Sequence, residues 1–186
     1  MPRVDAQRNI DALVEAAKQE FAASGVDVNV RAIAARAGVG TATLYRHFPL
    51  RSDLVAAVFR REVDACVAEA PRLAAAHDPG EALELWLQRY TEFVATKRGL
   101  AAALHSGDPA FDGLRAYFED SAGPALSTLL DAAAAAGAVR TGVDPIDLLG
   151  AVANLSVSPP GTEGAERAHR MVSLLVDGLR YGAGTR

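Results

Sequence analysis

Cysteine is almost missing from this chain: of 186 residues only Cys66 carries a thiol, so no intramolecular disulfide and no cysteine-rich zinc site can form. Aromatic residues reach only 6 %, with a single tryptophan, Trp86. Alanine is abundant and β-branched residues are modest, a balance that favours helix over strand. No segment alternates strictly between apolar and polar residues, and no internal repeat is present. No apolar run approaches the roughly 20 residues that cross a bilayer. The N-terminal stretch carries Asp5 and Asp11 and no long apolar core, so it does not read as a secretory signal. A cytoplasmic protein with no membrane partner is the expectation.

Charge of one sign is also missing locally. Residues 1–52 hold seven Lys/Arg against five Asp/Glu, whereas the remainder holds twelve against eighteen. Between residues 28 and 51 there are four arginines and no carboxylate. An acidic protein with one acid-free window has a local anion site rather than a generally basic surface.

The pattern of what is present predicts an all-α fold of about nine helices. Ile10, Leu13, Val14, Ala17 and Phe21 form one apolar stripe on a first helix running from about Asp5 to Ser24, and Gly25 supplies its C-terminus. Asn29 is the expected cap of a second helix ending at Gly38, Thr41 that of a short third helix, and Pro49 its stop. Ser52 is the expected cap of a fourth helix reaching Ala70, with Pro71 as its boundary. Leu83, Trp86, Leu87, Tyr90, Phe93 and Val94 repeat at helical spacing in a fifth, and a short sixth carries Leu100, Leu104 and His105. A long helical stretch from Pro109 to Ala136 is expected to bend or split at Gly123-Pro124. Asp144 should cap a helix over Pro145 to Val157, and a last helix spans Glu163 to Tyr181. Residues 1–52 thus form a small three-helix head, and residues 53–186 a larger helical body.

Residues 29–48, NVRAIAARAGVGTATLYRHF, carry the functional signal. Two helices cross closely only where small residues meet and the turn accepts an unusual backbone. Ala34, Ala37 and Gly38 provide both, and Ile33, Val39, Leu44 and Phe48 form the apolar wedge beneath. In such a helix-turn-helix the start of the third helix faces the DNA major groove. Gly40, Thr41, Ala42 and Thr43 are small enough to let the backbone approach. Tyr45, Arg46 and His47 lie on the outer face, and Arg51 with Ser52 opens the next helix, a position suited to a phosphate.

The run IAARAGVGTATLYRHFPLRSDL resembles the DNA-binding signature of the TetR family, as does the Ala16-Ala17, Phe21, Gly25 pattern of the first helix. The resemblance covers residues 8–60. It implies an all-helical homodimer that binds double-stranded DNA through its first three helices, with a divergent C-terminal domain that dimerises and takes a small effector. It further implies that Thr43, Tyr45 and His47 touch phosphates, that Thr41 and Ala42 face bases, and that Arg31 reaches a base or phosphate. Arg51 stands where the family usually has a phosphate-contacting lysine. Gly40 departs from the usual Ser or Thr cap. The stretch WLQRYTEFVATKRGLAAAL is similar to regulators of actinobacterial type with a short C-terminal domain.

In the body, Leu148, Leu149, Val152 and Leu155 lie on one helix. Ala168, Val172, Leu175 and Leu179 form a stripe on the last, which Met171, Leu174 and Val176 widen around the cylinder. A helix apolar over so wide an arc must be covered on two sides. The eight stripe residues are the expected four-helix dimer interface, with burial in the chain's own core as the plain alternative. Two recognition helices about 34–36 Å apart on a palindromic operator require such a two-fold pair. Trp86, Arg89, Tyr90, Phe93, Leu104, His105, Tyr117, Phe118 and Asn154 are the candidates for an effector pocket, an apolar cleft with a few polar groups.

No cofactor or metal is expected. There is no Walker loop, Gly38-Val39-Gly40 lacks the third glycine and the preceding strand of a dinucleotide fingerprint, and the histidines at 47, 77, 105 and 169 lack metal spacing. An enzyme is therefore disfavoured. The rival reading is a constitutive DNA-binding repressor or an activator whose C-terminal domain only dimerises.

Overall fold

The computed structural model describes residues 2–104, 106–156 and 162–181, and among them the secondary structure is helical throughout. The order is α1 (Pro2–Ser24), α2 (Val30–Arg36), α3 (Thr41–His47), α4 (Arg51–Ala76), α5 (Pro79–Gly99), α6 (Ala101–Leu104), a 3₁₀ turn (Pro109–Phe111), α7 (Leu114–Ala135), α8 (Pro145–Leu155) and α9 (Thr162–Arg180). His105, residues 157–161 and the tail from 182 lie outside the described residues, and with them the expected end of α8 at Val157.

Local chemistry sets most boundaries. Asn29 caps α2, its Oδ1 accepting from the Arg31 amide at 2.9 Å. Asp144 caps α8 by accepting from the amides of Ile146 and Asp147 at 2.8 and 2.9 Å, with Pro145 in the first turn where its missing N–H costs nothing. The α2–α3 turn closes through Gly38, whose φ of +70° is costly for any residue with a Cβ. Its amide reaches the Ala35 carbonyl at 3.1 Å, and the Val39 amide the Ala34 carbonyl at 3.0 Å. That pair of bonds is the Schellman closure, which turns the chain sharply into α3.

The caps of α3 and α4 and the two internal prolines differ from the sequence expectation. Gly40, not Thr41, is the N-cap of α3; it is extended (φ −73°, ψ 151°) and makes no side-chain cap. Ser52 does not cap α4 either. The helix begins one residue earlier, and Asp53 Oδ2 reaches back to accept from the Leu50 amide at 3.0 Å, the return half of a capping box. Pro71 and Pro124 lie inside continuous helices rather than at breaks. Each removes one donor, for the Val67 and Asp120 carbonyls respectively. The flanking stripes Val63, Cys66, Ala70 and Ala122, Leu126, Leu129, Leu130, Ala133 are buried across both sites, and that burial holds the helices together.

Packing divides the chain into two units. One gathers the chain through Glu62 with Thr96–Arg115; the other gathers Val63–Ala95 with the chain from Ala116 onward. The first unit is built on α1, which packs on α2 as α2 does on α3. Its interior includes Leu13, Val14, Ala17, Phe21, Ile33, Ala34, Leu44, Leu54, Val55, Val58 and Phe59. Two polar ties join the first half of α4 to α1. Lys18 Nζ meets the Glu62 carboxylate at 2.8 Å, and Arg61 donates to the Asp11 carbonyl at 3.1 Å. Glu62 is only 4 % exposed, so removing its charge leaves Lys18 without its partner. Glu62→Gln is expected to lower stability by about 1–2 kcal/mol, less than a fully buried pair because Lys18 remains partly in water. A chemical-denaturation midpoint unchanged from wild type would show that the pair is merely a surface contact.

In the second unit, α5 anchors α9. The Glu84 carboxylate accepts from Arg180 at 2.7 Å and from the Ser173 hydroxyl at 3.1 Å. The guanidinium's hydrogen bond to Glu84 raises the Arg180 pKa above its ordinary value. α8 packs on α9, and the Arg140 amide joins the Leu179 carbonyl at 2.9 Å.

Candidate nucleic-acid interface

α3 is seven residues long, and only Leu44 is fully buried within it. Phe48, directly after it, is buried too. These two anchors, spaced i and i+4, fix the rotation of the helix, so the opposite side must face solvent. Thr41, Ala42, Tyr45 and Arg46 are exposed there, and Thr43 and His47 are half-buried at the margin. Gly40 is exposed at the helix start, where no side chain occupies the first-turn amides. Arg31 is exposed on α2. The structure therefore leaves the start and outer face of α3 open, with Arg31 exposed on the helix that precedes it.

The four arginines of the acid-free window are not equivalent. Arg36 is held by α1, its Nε 2.6 Å from Glu20 and its Nη1 3.2 Å from Gln19 Oε1. Arg51 donates through Nη1 to the carbonyls of Val26 and Val28, the latter at 2.8 Å. Arg31 and Arg46 have no partner among the described residues, and their charges are free for an external anion. Composition gives four cations in this window, and the fold leaves two of them unengaged.

Beside α3 lies an open cleft of about 450 Å³, lined by Asp27, Asn29, Val30, Leu44, Tyr45, Phe48, Pro49, Leu50, Arg51 and Leu54. Tyr45 is 52 % exposed and Leu50 61 % exposed, and they form its outer lip. Sequence reasoning did not single out Leu50. A large apolar side chain between Pro49 and Arg51 reads as packing, and only its exposure shows otherwise.

The body residues proposed for effector and dimer contacts fare unevenly. Trp86, Tyr90 and Phe93 on α5 are buried and stack with half-buried Phe118 of α7. The ring centroids of Trp86 and Tyr90 lie 6.0 Å apart, those of Tyr90 and Phe118 5.8 Å, and those of Phe93 and Phe118 5.4 Å. The Trp86 indole donates to the Cys66 carbonyl at 2.9 Å. Burial pushes the Tyr90 phenol well above its ordinary pKa, with the nearby Cys66 thiol adding to the shift. The Tyr117 hydroxyl donates to Asp64. Arg89 is half-buried and paired with Glu92 at 2.9 Å on their own helix, and Asn154 is exposed on α8. Leu104 belongs to the other unit, and His105 lies outside the described residues.

Of the expected dimer residues, Leu148, Leu149, Val152, Ala168, Val172 and Leu179 are buried within the single chain. They close α8 and α9 onto their own unit and have almost no surface left for a second copy. The large apolar side chains that these helices expose are instead Ile146, Leu155 and Leu174, the last 65 % exposed, with Leu175 half-buried.

Comparison with known proteins matches these two regions separately. Residues 13–58 match the family described as bacterial regulatory proteins of the tetR family, and residues 78–181 match the C-terminal domain of SbtR-like transcriptional regulators. An HTH-type transcriptional regulator of Staphylococcus aureus is 29 % identical over 108 residues, which are 57 % of this chain and 58 % of that protein. The match thus spans little more than half the length of these curated relatives. The crystal structure of a TetR transcriptional regulator from Streptomyces coelicolor is similar over 92 % of this chain and 98 % of that one, at 36 % identity and a TM-score of 0.76. A TetR regulatory protein from Mycobacterium vanbaalenii is similar over 97 % and 99 %, also at 36 % identity, with a TM-score of 0.75. Among the described residues no helix is long and apolar enough to cross a membrane. The open face of α3 within the tetR-family match, together with an SbtR-like C-terminal match over more than half of the chain, makes this chain a member of the TetR family of DNA-binding transcriptional regulators.

Proposed function

We propose that the protein is a homodimeric repressor that holds a palindromic operator and leaves it when a small-molecule effector binds the C-terminal body. The head through residue 52 reads DNA, and residues 53–186 dimerise and take the effector. The observation that carries this reading is the open outer face of α3, together with the unpaired Arg31 and Arg46. Thr41 and Ala42 face base edges. Thr43, Tyr45, Arg46 and His47 take phosphate, and Arg31 reaches the backbone or a base from α2. The outward leucines Leu155, Leu174 and Leu175 supply the contact between copies. Half-buried Tyr117 and Phe118 offer the effector an edge of the aromatic cluster.

Selection of bound duplexes from sheared genomic DNA tests the reading, and recovery of a palindromic motif is the expected outcome. The salt dependence then tests the assignment of charge. Each phosphate neutralised contributes about −0.9 to the slope of log K against log[salt], so four free arginines per dimer predict a slope near −3.6. Arg46→Ala should flatten it by about 1.8 per dimer and weaken all sequences alike, because a phosphate contact carries no base preference. Arg36→Ala should leave the slope as it is, since that guanidinium is committed to Glu20 and Gln19. Equal flattening by both variants would refute the division of the arginines into free and engaged.

The rings of Trp86, Tyr90 and Phe93 are buried against one another and Phe118 within the chain, and this favours a second reading, a regulator that binds DNA without an effector. Titration of the operator complex with metabolite pools separates the two, because release of DNA occurs only under the first.

A further inference from the structure

The position of Arg51 at the start of α4 is where a phosphate contact is expected from the family pattern, yet its guanidinium is held by the chain's own backbone. Nη1 donates to two backbone carbonyls, Val26 and Val28, both in the link between α1 and α2. This link is short. Gly25 leaves α1 in the left-handed region, Val26 is buried, and Asn29 caps α2 one residue past the second carbonyl. The guanidinium therefore ties the first residue of α4 to the last residues before α2, across the cleft that carries Tyr45 and Leu50 on its lip. From the same turn, Asp53 accepts from the Leu50 amide at 3.0 Å, which fixes the α3–α4 link from the other end. The two charged side chains of this turn thus each brace one of the loops that set how α2 and α3 lie against α4.

We infer that Arg51 is a positioning residue for DNA recognition: it does not neutralise a phosphate but locks the α1–α2 link onto α4, so that Arg31 and the face of α3 meet the groove in one fixed geometry. The inference rests on the DNA-binding role of the head. A planar guanidinium suits the task because one nitrogen carries two N–H groups in its plane and can serve two carbonyls at once. An unbraced link lets the head sample several placements of α2 and α3, and a site with one correct geometry loses more from this than a site accepting any register. Specific binding therefore falls while random-sequence binding, which depends on charge and not register, is preserved.

The test uses the full-length protein, the tightest duplex recovered by selection, and a random duplex of equal length. Melting by circular dichroism fixes a temperature at which every variant is folded. Arg51→Ala is expected to weaken the selected duplex about tenfold, to change the random duplex less than about twofold, and to leave the salt slope of the selected complex at its wild-type value. Arg51→Gln, neutral but still a donor of two N–H groups, should recover part of the selectivity. A phosphate role predicts otherwise: both duplexes weaken together, the slope flattens by about 1.8 per dimer, and glutamine rescues nothing. That result, or no effect on either duplex, overturns the inference. A measurement on the unmutated protein guards against a variant that does not fold. In a nitrogen–proton spectrum of arginine side chains, the Arg51 signal should stay in place when the selected duplex is added, while those of Arg31 and Arg46 move. An Arg51 signal shifting as far as theirs would sink the assignment. Failure of selection to return any duplex would instead count against the proposed function and leaves the spectrum without a ligand, so the two failures are told apart at the first step.

Discussion

Leu174→Glu is expected to break the proposed dimer into monomers and to lower affinity for a palindromic operator by at least about 100-fold, the loss that follows when a second tethered site no longer engages. Leu174 is 65 % exposed on α9, one of the large apolar side chains the chain leaves in water. Half-buried Met171 and Leu175 and exposed Gly178 continue its stripe at i−3, i+1 and i+4. Leu155 emerges on α8, which packs on α9. In the proposed contact between copies, one substitution buries a carboxylate from each copy in an apolar surface, where it lacks a partner. The buried side of α9 is untouched, and the monomer should keep its helical content and melt cooperatively. Size-exclusion chromatography with light scattering reads the mass, and the gel shift reads the affinity. A variant that remains dimeric with full operator binding would place the contact on another surface.

Which side of α8 and α9 the chain's own core takes was only half legible in the sequence. Periodicity shows that an apolar arc is too wide for one neighbour, but not which part of the arc the chain's own core takes. That phase is set by where α5 and α7 lie, which is long-range information. The structure resolves it by burying Val172, Val176 and Leu179 inside and leaving Leu174 outside. The Asn29 and Asp144 caps and the glycines that end α1 and α2 agree with the sequence expectation, because their cause lies within four residues, whereas Thr41 and Ser52, the other expected caps, lie within their helices. Pro71 misled as a boundary because its cost is local and visible, whereas the burial that offsets it belongs to helices distant in sequence. The recognition face was legible as residue types around Leu44 and Phe48. What composition could not show is that Glu20 and two backbone carbonyls hold two of the four arginines, since those partners lie 16 to 25 residues away.

Trp86 gives the strongest single test of the body. Its side chain is fully buried on α5, stacks on Tyr90 at 6.0 Å, and donates to the Cys66 carbonyl of α4 at 2.9 Å. That bond comes one turn before Pro71, where the helix has already lost a donor, so the indole ties α5 to α4 near its weakest point. Trp86→Ala removes the largest side chain of the core and leaves a cavity that close-packed neighbours cannot fully refill. The expected cost is about 3–5 kcal/mol, or roughly 10–15 °C in Tm for a chain of this size. Trp86→Phe keeps most of the ring packing and loses the N–H, for which about 1–2 kcal/mol is expected. Because Trp86 is the only tryptophan, denaturation of both variants must be followed by circular dichroism rather than fluorescence. If alanine and phenylalanine cost the same, the hydrogen bond and not the packed volume holds α5 to α4; if neither costs more than about 1 kcal/mol, the cluster is loosely filled. A loosely filled cluster would have room for an effector after all, so the same melting curves weigh on the choice between an inducible repressor and one that binds DNA without a ligand.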